Sequence, residues 1–241
     1  YFDDQANTGI LRRVADKCYV PATELLTALV RRSEGRFRFA LSLSGALLEQ
    51  LERHAPDALD AFRRLVDTGG VELLGETYYH SLASLADPDE FAAQVEMHRE
   101  LLARLFGVRP RVFRNTELIY WDELAPAIAA LGFEAVLAEG ADHVLGWRSA
   151  NQVYSAPLAP DLRILPRNYP LSDDVGFRFS NRDWDGWPVT ATRYADWLAA
   201  SPGESVHLFL DYETFGEHQW ATTGIFDFLE HLPGNCADRG L

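Results

Sequence analysis

The sequence predicts an α/β protein with parallel strands and helical crossovers. Short apolar runs alternate with amphipathic helical stretches along the 241 residues, and this alternation is typical of a parallel sheet. Unusual polar residues directly follow several of the apolar runs, which suits a fold whose strand ends meet at one edge. The length favours a closed or nearly closed barrel, although periodicity alone does not separate a barrel from an open sheet.

The first half of the chain contains clear helix and strand patterns. "PATELLTALVRR" (21–32) starts with proline and has apolar residues at 3–4 spacing, which predicts a helix. "RFRFALSLS" (36–44) alternates apolar and polar residues, which predicts a strand. The following stretches predict helices over 44–56 and 56–69, a short strand over 71–74, and a long helix over 88–107.

The second half repeats the pattern. Strands are predicted at 111–114, 133–139, 162–169 and 206–210, and helices at 122–132 and 191–201. Residues 170–190, rich in aromatic and acidic side chains, are predicted to be irregular. Strands separated by helices of this length indicate a sheet built from helical crossovers.

Composition limits the classes of partner and compartment. With 36 acidic against 22 basic residues, the net charge of −14 makes nucleic acid and anionic membranes poor partners. No apolar run approaches the roughly 18 residues of a membrane helix. The residues at the start lack the pattern of a secretory signal, and Cys18 and Cys236 lack C-x-x-C spacing. These features favour a reduced, cytoplasmic setting.

Polar residues cluster after the predicted strands. Because parallel strand ends converge on one edge, we expect these residues to form one site. They are Glu76, His80, Arg114, Glu117, Glu139, Asp142, His143, Asp211 and Glu213.

Two of these carboxylates could perform glycoside hydrolysis, one as nucleophile or base and the other as general acid. Glu117 lies three residues after Arg114, a cation that can keep a carboxylate ionised. Asp211 lies two residues before Glu213, a like charge that favours protonation of its neighbour. The alternative interpretation is that these are solvated acids at the starts of loops.

Aromatic residues in the same loops could stack on sugar rings, or could belong to the core. They are Tyr78, Tyr79, Tyr120, Trp121, Trp147, Trp184, Trp187 and Trp220.

Other chemistries have less support. The seven histidines contain no H-x-x-x-H or H-E-x-x-H spacing, so a zinc site is not predicted. Without a G-x-S-x-G, G-x-G-x-x-G or Walker sequence, serine hydrolysis and nucleotide binding are also not predicted. We expect neither a metal nor a cofactor. A metal-dependent sugar deacetylase or mannosidase is the rival chemistry.

Five blocks of the sequence, taken together, resemble the α-amylase-type members of glycoside hydrolase family 57. They are "GETYYHSLASL", "FRNTELIYWDE", "LAEGADHVLGWRS", "NYPLSDDVGFRFS" and "LDYETFGEHQW". The resemblance implies an incomplete seven-stranded (β/α) barrel and retaining chemistry on α-1,4-glucans without a metal. It places the nucleophile on Glu117 and the acid/base on Asp211.

The same blocks supply the residues expected to bind substrate. These are Glu76, His80, Arg114, Trp121, His143, Trp147, Glu213, His218 and Trp220. The expected partner is an α-glucan or maltooligosaccharide, and the oligomeric state is left open by the sequence.

Two family features have no counterpart in residues 1–241. One is the His-Gln-Pro block of the first barrel strand, and the other is the final block with its helical region. We therefore expect a single catalytic barrel domain over 1–241 that is truncated at both ends and lacks its first strand. Hydrolysis, 4-α-glucanotransfer, glucan branching and non-catalytic glucan binding all remain open.

Overall fold

The computed structural model describes residues 3–241 and confirms the α/β prediction. Its strands are β1 (Phe39–Leu41), β2 (Val71–Leu73), β3 (Val112–Arg114), β4 (Ala135–Glu139), β5 (Tyr154–Ala156) and β6 (Ala159–Arg167). β1 pairs with β2, β3 with β4, and β4 with β6, all in parallel. The strands predicted at 36–44, 71–74, 111–114, 133–139 and 162–169 are thus present as β1, β2, β3, β4 and β6, although three of these five are only three residues long. β5, which the sequence analysis missed, is antiparallel to β6.

The helices lie between these strands. They are α1 (Asp4–Val14), α2 (Val20–Arg32), α3 (Gly45–His54), α4 (Pro56–Val66), α5 (Ala83–Ala86), α6 (Pro88–Phe106), α7 (Ala125–Ala130), α8 (Asp142–Leu145), α9 (Tyr169–Gly176), α10 (Ala191–Ala200) and α11 (Ile225–Ala237). The long helix α6 shows why the boundaries were predictable, since Asp87 caps its first amides and Gly107, at φ 68°, ends it. Within 3–241, no helix is both long and apolar enough to cross a membrane.

Gly75 joins the two sheets. Its amide donates to Val112 at 2.9 Å, and its carbonyl accepts from the amide of Arg114 at 2.8 Å. A Cβ on Gly75 would lie 2.6 Å from the ring of Phe133, so only glycine allows this approach. The carboxyl ends of β1, β2, β3, β4 and β6 therefore face one edge, which we call the rim.

The predicted strand over 206–210 is wrong. Side chains bind its backbone instead of a neighbouring strand: Ser172 accepts from the amide of Phe209 at 3.2 Å, and Arg167 donates to the Phe209 carbonyl at 3.0 Å. The segment runs past the end of β6, where the amide of Asn168 donates to the backbone carbonyl of His207 at 2.8 Å.

The irregular structure predicted for 170–190 is also partly wrong, because α9 occupies its start. Asn168 caps α9 by accepting from the amide of Leu171, and Pro170 lies in the first turn, where its missing N–H is no loss. Both features were visible in "NYPL". The acidic and aromatic composition of the segment obscured them.

α1 and α2 are parts of one long helix, joined by a π-helical turn, Ala15–Tyr19, which we call the π-turn. Apolar residues of α1, α3 and α4 pack with those of β1 and β2 in one cluster, which includes Leu11, Leu48 and Phe62. The π-turn contributes Cys18 and Tyr19 to that cluster. The long helix is therefore fixed to the sheet by burial on its inner face.

Candidate active site

The rim brings four of the predicted site residues into direct contact: Glu76, His80, Arg114 and Glu117. Glu76 and His80 come from the loop after β2, Arg114 ends β3, and Glu117 follows three residues later. Short strands that end at the same level place these side chains side by side. Of the polar residues predicted to form one site, the structure thus brings these four into contact with one another.

The carboxylate of Glu76 is the buried centre of the group, with 2% of its side chain exposed. Ser42 donates to Oε1 at 2.6 Å, and His80 Nδ1 lies 3.0 Å from Oε2. Burial alone would raise the pKa of Glu76, but the hydrogen bonds from His80 and Ser42, with the charge of Arg114 at 3.9 Å, outweigh it. The net pKa lies below its ordinary value, so Glu76 is an anion.

His80 connects this buried anion to Glu117. Its Nε2 lies 3.2 Å from Glu117 Oε1, while its Nδ1 faces Glu76. The hydrogen bond to Glu76 raises the pKa of His80, burial opposes the rise, and the bond to Glu117 adds to it. Protonation at both ring nitrogens lets His80 donate to both carboxylates.

Arg114 and the two carboxylates have opposite effects on the protonation of His80. Its Nη1 lies 3.3 Å from His80 Nδ1, and a guanidinium can only donate. That contact would suit a neutral His80 accepting at Nδ1, whereas the 3.0 Å contact of Nδ1 with Glu76 suits a donor. Two carboxylates against one guanidinium favour the imidazolium, in agreement with the raised pKa.

His98, in α6, contacts the backbone of this group. It is fully buried and accepts at Nδ1 from the amide of Glu76 at 3.3 Å, so Nε2 carries the proton that it donates to the Leu43 carbonyl at 2.8 Å. Burial lowers the pKa of His98 and keeps the ring neutral. It fixes the backbone of Glu76 relative to the end of β1.

Glu117 projects from a strained turn into solvent. Its φ is 54° and that of Leu118 is 57°, two successive residues in the left-handed region, and such conformations cost about 1–3 kcal/mol each. The buried side chain of Asn115 ties the turn by donating to Ser84 and to the Ile119 carbonyl. The Glu117 side chain is 72% exposed, so an approaching molecule can reach it.

A second group lies on residues 211–220, which we call the acid loop. Asp211 is exposed and precedes a 3-10 turn, Tyr212–Thr214. Glu213 in that turn accepts a hydrogen bond from the Tyr19 hydroxyl. Farther along, Glu217 pairs with Arg13 at 3.0 Å, His218 and Trp220 are exposed, and Lys17 lies 5.6 Å from the Trp220 ring centroid.

His143 belongs to a third group at the ends of β4 and β6. It lines an open depression of about 440 Å³ together with Glu139, Ala141, Asp142, Arg167 and Tyr169. Arg167 pairs with Glu139 at 3.3 Å and with Asp173 at 2.7 Å. This arrangement places donors and acceptors close together at the ends of β4 and β6.

Two predicted tryptophans have opposite environments. Trp147 is 95% exposed on the loop after α8, and its indole is accessible as a stacking surface. Trp121 packs against the cluster around α6, α7 and β3. Its environment therefore resembles that of a core residue more than that of a stacking surface.

Sequence reasoning missed three residues that contact the site. Ser42 directly follows β1, so the rule that polar residues after strands belong to the rim could have found it. His98 and Tyr19 lie within helices. Nothing in their local sequence indicates contact with a loop far away along the chain.

The described part of the chain shows no cluster of side chains that could bind a metal ion. No group of three or more His, Cys, Asp or Glu side chains in 3–241 is arranged to hold an ion. Glu76 and His80 instead bind each other and Arg114, as an ion-pair network does.

The fold and its rim define a parallel α/β protein with carboxylates, an imidazole and aromatic rings at its strand ends. The chain belongs to Glycosyl hydrolase family 57, whose sequence model matches residues 1–241. The resemblance stated from the five sequence blocks is thus confirmed.

The chain is also similar in sequence to a curated relative. The chain is 49% identical over 234 residues to a protein of Methanocaldococcus jannaschii named "Putative alpha-amylase", an alignment that covers 97% of this chain and 49% of the relative. The chain therefore spans about half the length of that protein.

Two crystal structures share the fold at lower identity. A family 57 branching enzyme from Thermococcus kodakaraensis superposes with a TM-score of 0.74 at 13% identity, covering 97% of this chain and 65% of that one. A 4-alpha-glucanotransferase from Thermococcus litoralis gives 0.70 at 22% identity, covering 92% and 33%.

Proposed function

We propose that residues 1–241 form one catalytic domain, an incomplete (β/α)7 barrel, of a retaining enzyme that acts on α-1,4-glucans in the manner of an α-amylase. Family membership and the 49% identical relative support this proposal. The parallel strands and the polar rim are compatible with an incomplete barrel.

The observation that carries the proposal is the contact of His80 with Glu117 at 3.2 Å. The His80 contact orients the exposed Glu117 carboxylate and places an imidazolium beside it, which suits a nucleophile. The turn that presents Glu117 is strained, and strain of this kind concentrates at functional sites.

The reaction would proceed in two steps. A Glu117 carboxylate oxygen attacks the anomeric carbon while Asp211 gives its proton to the leaving glycosidic oxygen, and a glycosyl ester forms. Asp211 then takes a proton from water, whose oxygen attacks the same carbon and releases Glu117. As the ester breaks, negative charge returns to Glu117, where the His80 imidazolium stabilises it.

The remaining predicted residues would bind the glucan. Exposed indoles such as those of Trp147 and Trp220 offer flat apolar faces to sugar rings. The depression beside His143 offers hydrogen-bonding groups for sugar hydroxyls.

Transfer to a second sugar is the main alternative, because a glucanotransferase or branching enzyme would use the same first step. Product analysis on maltooligosaccharides separates the reactions. Shorter products alone indicate hydrolysis, longer chains indicate 4-α-glucanotransfer, and α-1,6 linkages indicate branching. Tight glucan binding without any turnover would indicate a non-catalytic binding protein.

Glu117→Gln tests the proposed nucleophile. Turnover of maltooligosaccharides should be abolished while glucan binding, measured by calorimetry, survives. Glu123→Gln is the control, since Glu123 is an exposed acid six residues away. Turnover by Glu117→Gln at the rate of the control would exclude Glu117, and proton NMR of the first product, showing the α-anomer, would support retention.

A further inference from the structure

The π-turn, Ala15–Tyr19, interrupts the long helix formed by α1 and α2 at the point where it meets the acid loop. Such turns cost regular helical hydrogen bonding and occur frequently at functional sites. The first question is therefore which contacts this one makes.

Three consecutive residues of the π-turn contact the acid loop. The Tyr19 hydroxyl donates to Glu213 Oε1 at 2.5 Å, and Cys18 Sγ lies 3.3 Å from the Tyr212 carbonyl. The Lys17 carbonyl lies 2.0 Å from the point where a Cβ on Gly216 would stand. The two backbones thus approach closely at Lys17 and Gly216.

The ring of Tyr19 is fixed. It is 6% exposed and packs against Phe62, at 5.9 Å between centroids, and against Tyr212, at 6.2 Å. Burial raises the pKa of Tyr19, so its hydroxyl keeps the proton that it donates. Because packing already fixes the Tyr19 ring, its hydroxyl can orient the Glu213 carboxylate without a further loss of side-chain entropy at Tyr19.

We propose that Tyr19 is a positioning residue for the acid loop. Its hydroxyl fixes the Glu213 carboxylate, and through the 3-10 turn, Tyr212–Thr214, it fixes Asp211, which directly precedes that turn. The inference rests on the proposed function of Asp211 as acid/base.

Tyr19→Phe tests this role because it removes only the hydroxyl. We expect kcat on maltooligosaccharides to fall about tenfold with KM changed less than about threefold, since misplacement of a catalytic group affects the chemical step most. In a Glu213→Met background, where the acceptor oxygens are gone, the same change should cost less than about twofold.

Tyr194→Phe is the matched control. Tyr194 is also fully buried, and its hydroxyl donates at 2.7 Å to the carbonyl of Leu171, which is not a residue of the acid loop. This variant should lose stability while kcat stays at the wild-type value. A Tyr19→Phe variant that loses stability in the same way but keeps wild-type kcat would overturn the inference.

A second measurement separates this inference from the proposed function. If the full-length wild-type protein turns over no α-glucan, the proposed function fails. The coupling between Tyr19→Phe and Glu213→Met can still be measured in urea unfolding. Additive effects of the two changes would overturn the positioning role, and non-additive effects would support it.

Discussion

His80 Nε2 lies 3.2 Å from Glu117 Oε1, and the opposite nitrogen of the same ring lies 3.0 Å from the buried Glu76 carboxylate. One imidazole therefore joins an anion that solvent cannot reach to one that solvent surrounds. The buried anion holds the ring charged and oriented, and the ring in turn orients the exposed carboxylate.

His80→Gln should lower kcat by about 10²-fold, in the range seen when one preorganised donor is lost. Glutamine retains hydrogen bonding to one carboxylate but brings no positive charge. Steady-state kinetics on maltooligosaccharides measure the effect. His231 is exposed, and its Nδ1 donates to the Asp227 carbonyl of its own helix, so His231→Gln should keep wild-type kcat. Equal rates for the two variants would contradict the role of His80.

The stability contributed by His80 should depend on pH. Because its pKa is raised in the folded state from an ordinary 6.5, the contribution is fully present below pH 6.5 and is lost as pH rises through the folded pKa. The destabilisation caused by His80→Gln should therefore be larger at pH 5.5 than at pH 9 in urea unfolding. A His80→Gln difference that stays flat between these two pH values would contradict the imidazolium.

Glu76→Gln should destabilise the fold by about 2 kcal/mol, less than the loss of a fully buried ion-pair partner because His80 and Arg114 are partly solvated. The neutral amide removes the buried negative charge beside Arg114 and His80, while His80 still contacts Glu117. Glu72→Gln, on the exposed face of β2, should change the free energy of unfolding by less than about 0.5 kcal/mol. Equal changes in the free energy of unfolding for Glu76→Gln and Glu72→Gln, measured in urea, would contradict a stabilising role for the negative charge of Glu76.

The rim was predictable from sequence because it follows from local rules. Apolar runs fixed the strand positions, and polar residues after β2 and β3 then had to meet at one edge. The contact of His80 with Glu117 is the outcome of that rule. Ser42, which donates to Glu76, also directly follows a strand, so the same rule could have added it to the predicted site.

What could not be predicted depends on contacts that are distant in sequence. Residues 206–210 have the pattern of a strand, yet Arg167 and Ser172 bind their backbone from a neighbouring element. Tyr19 meets Glu213 across 194 positions, by way of a π-turn that no local pattern indicates. Tertiary contacts overrode local preference in both places.

Gly216→Ala should displace the acid loop from the π-turn. Gly216 has φ 120°, and an added Cβ would stand 2.0 Å from the Lys17 carbonyl, so either the loop or the helix must move. We expect a loss of about 2–3 kcal/mol in urea unfolding, from left-handed strain and the clash together, and a fall in kcat because Asp211 moves with the loop.

Gly9→Ala gives the contrast within the same long helix. A Cβ at Gly9 meets nothing within 4 Å, so the change should raise stability by about 0.5–1 kcal/mol through helix propensity alone and leave kcat unchanged. The two variants add the same methyl group, and they differ in whether a neighbouring backbone occupies its place. If Gly216→Ala kept both the stability and the kcat of the wild type, the close seating of the acid loop on the π-turn would be contradicted.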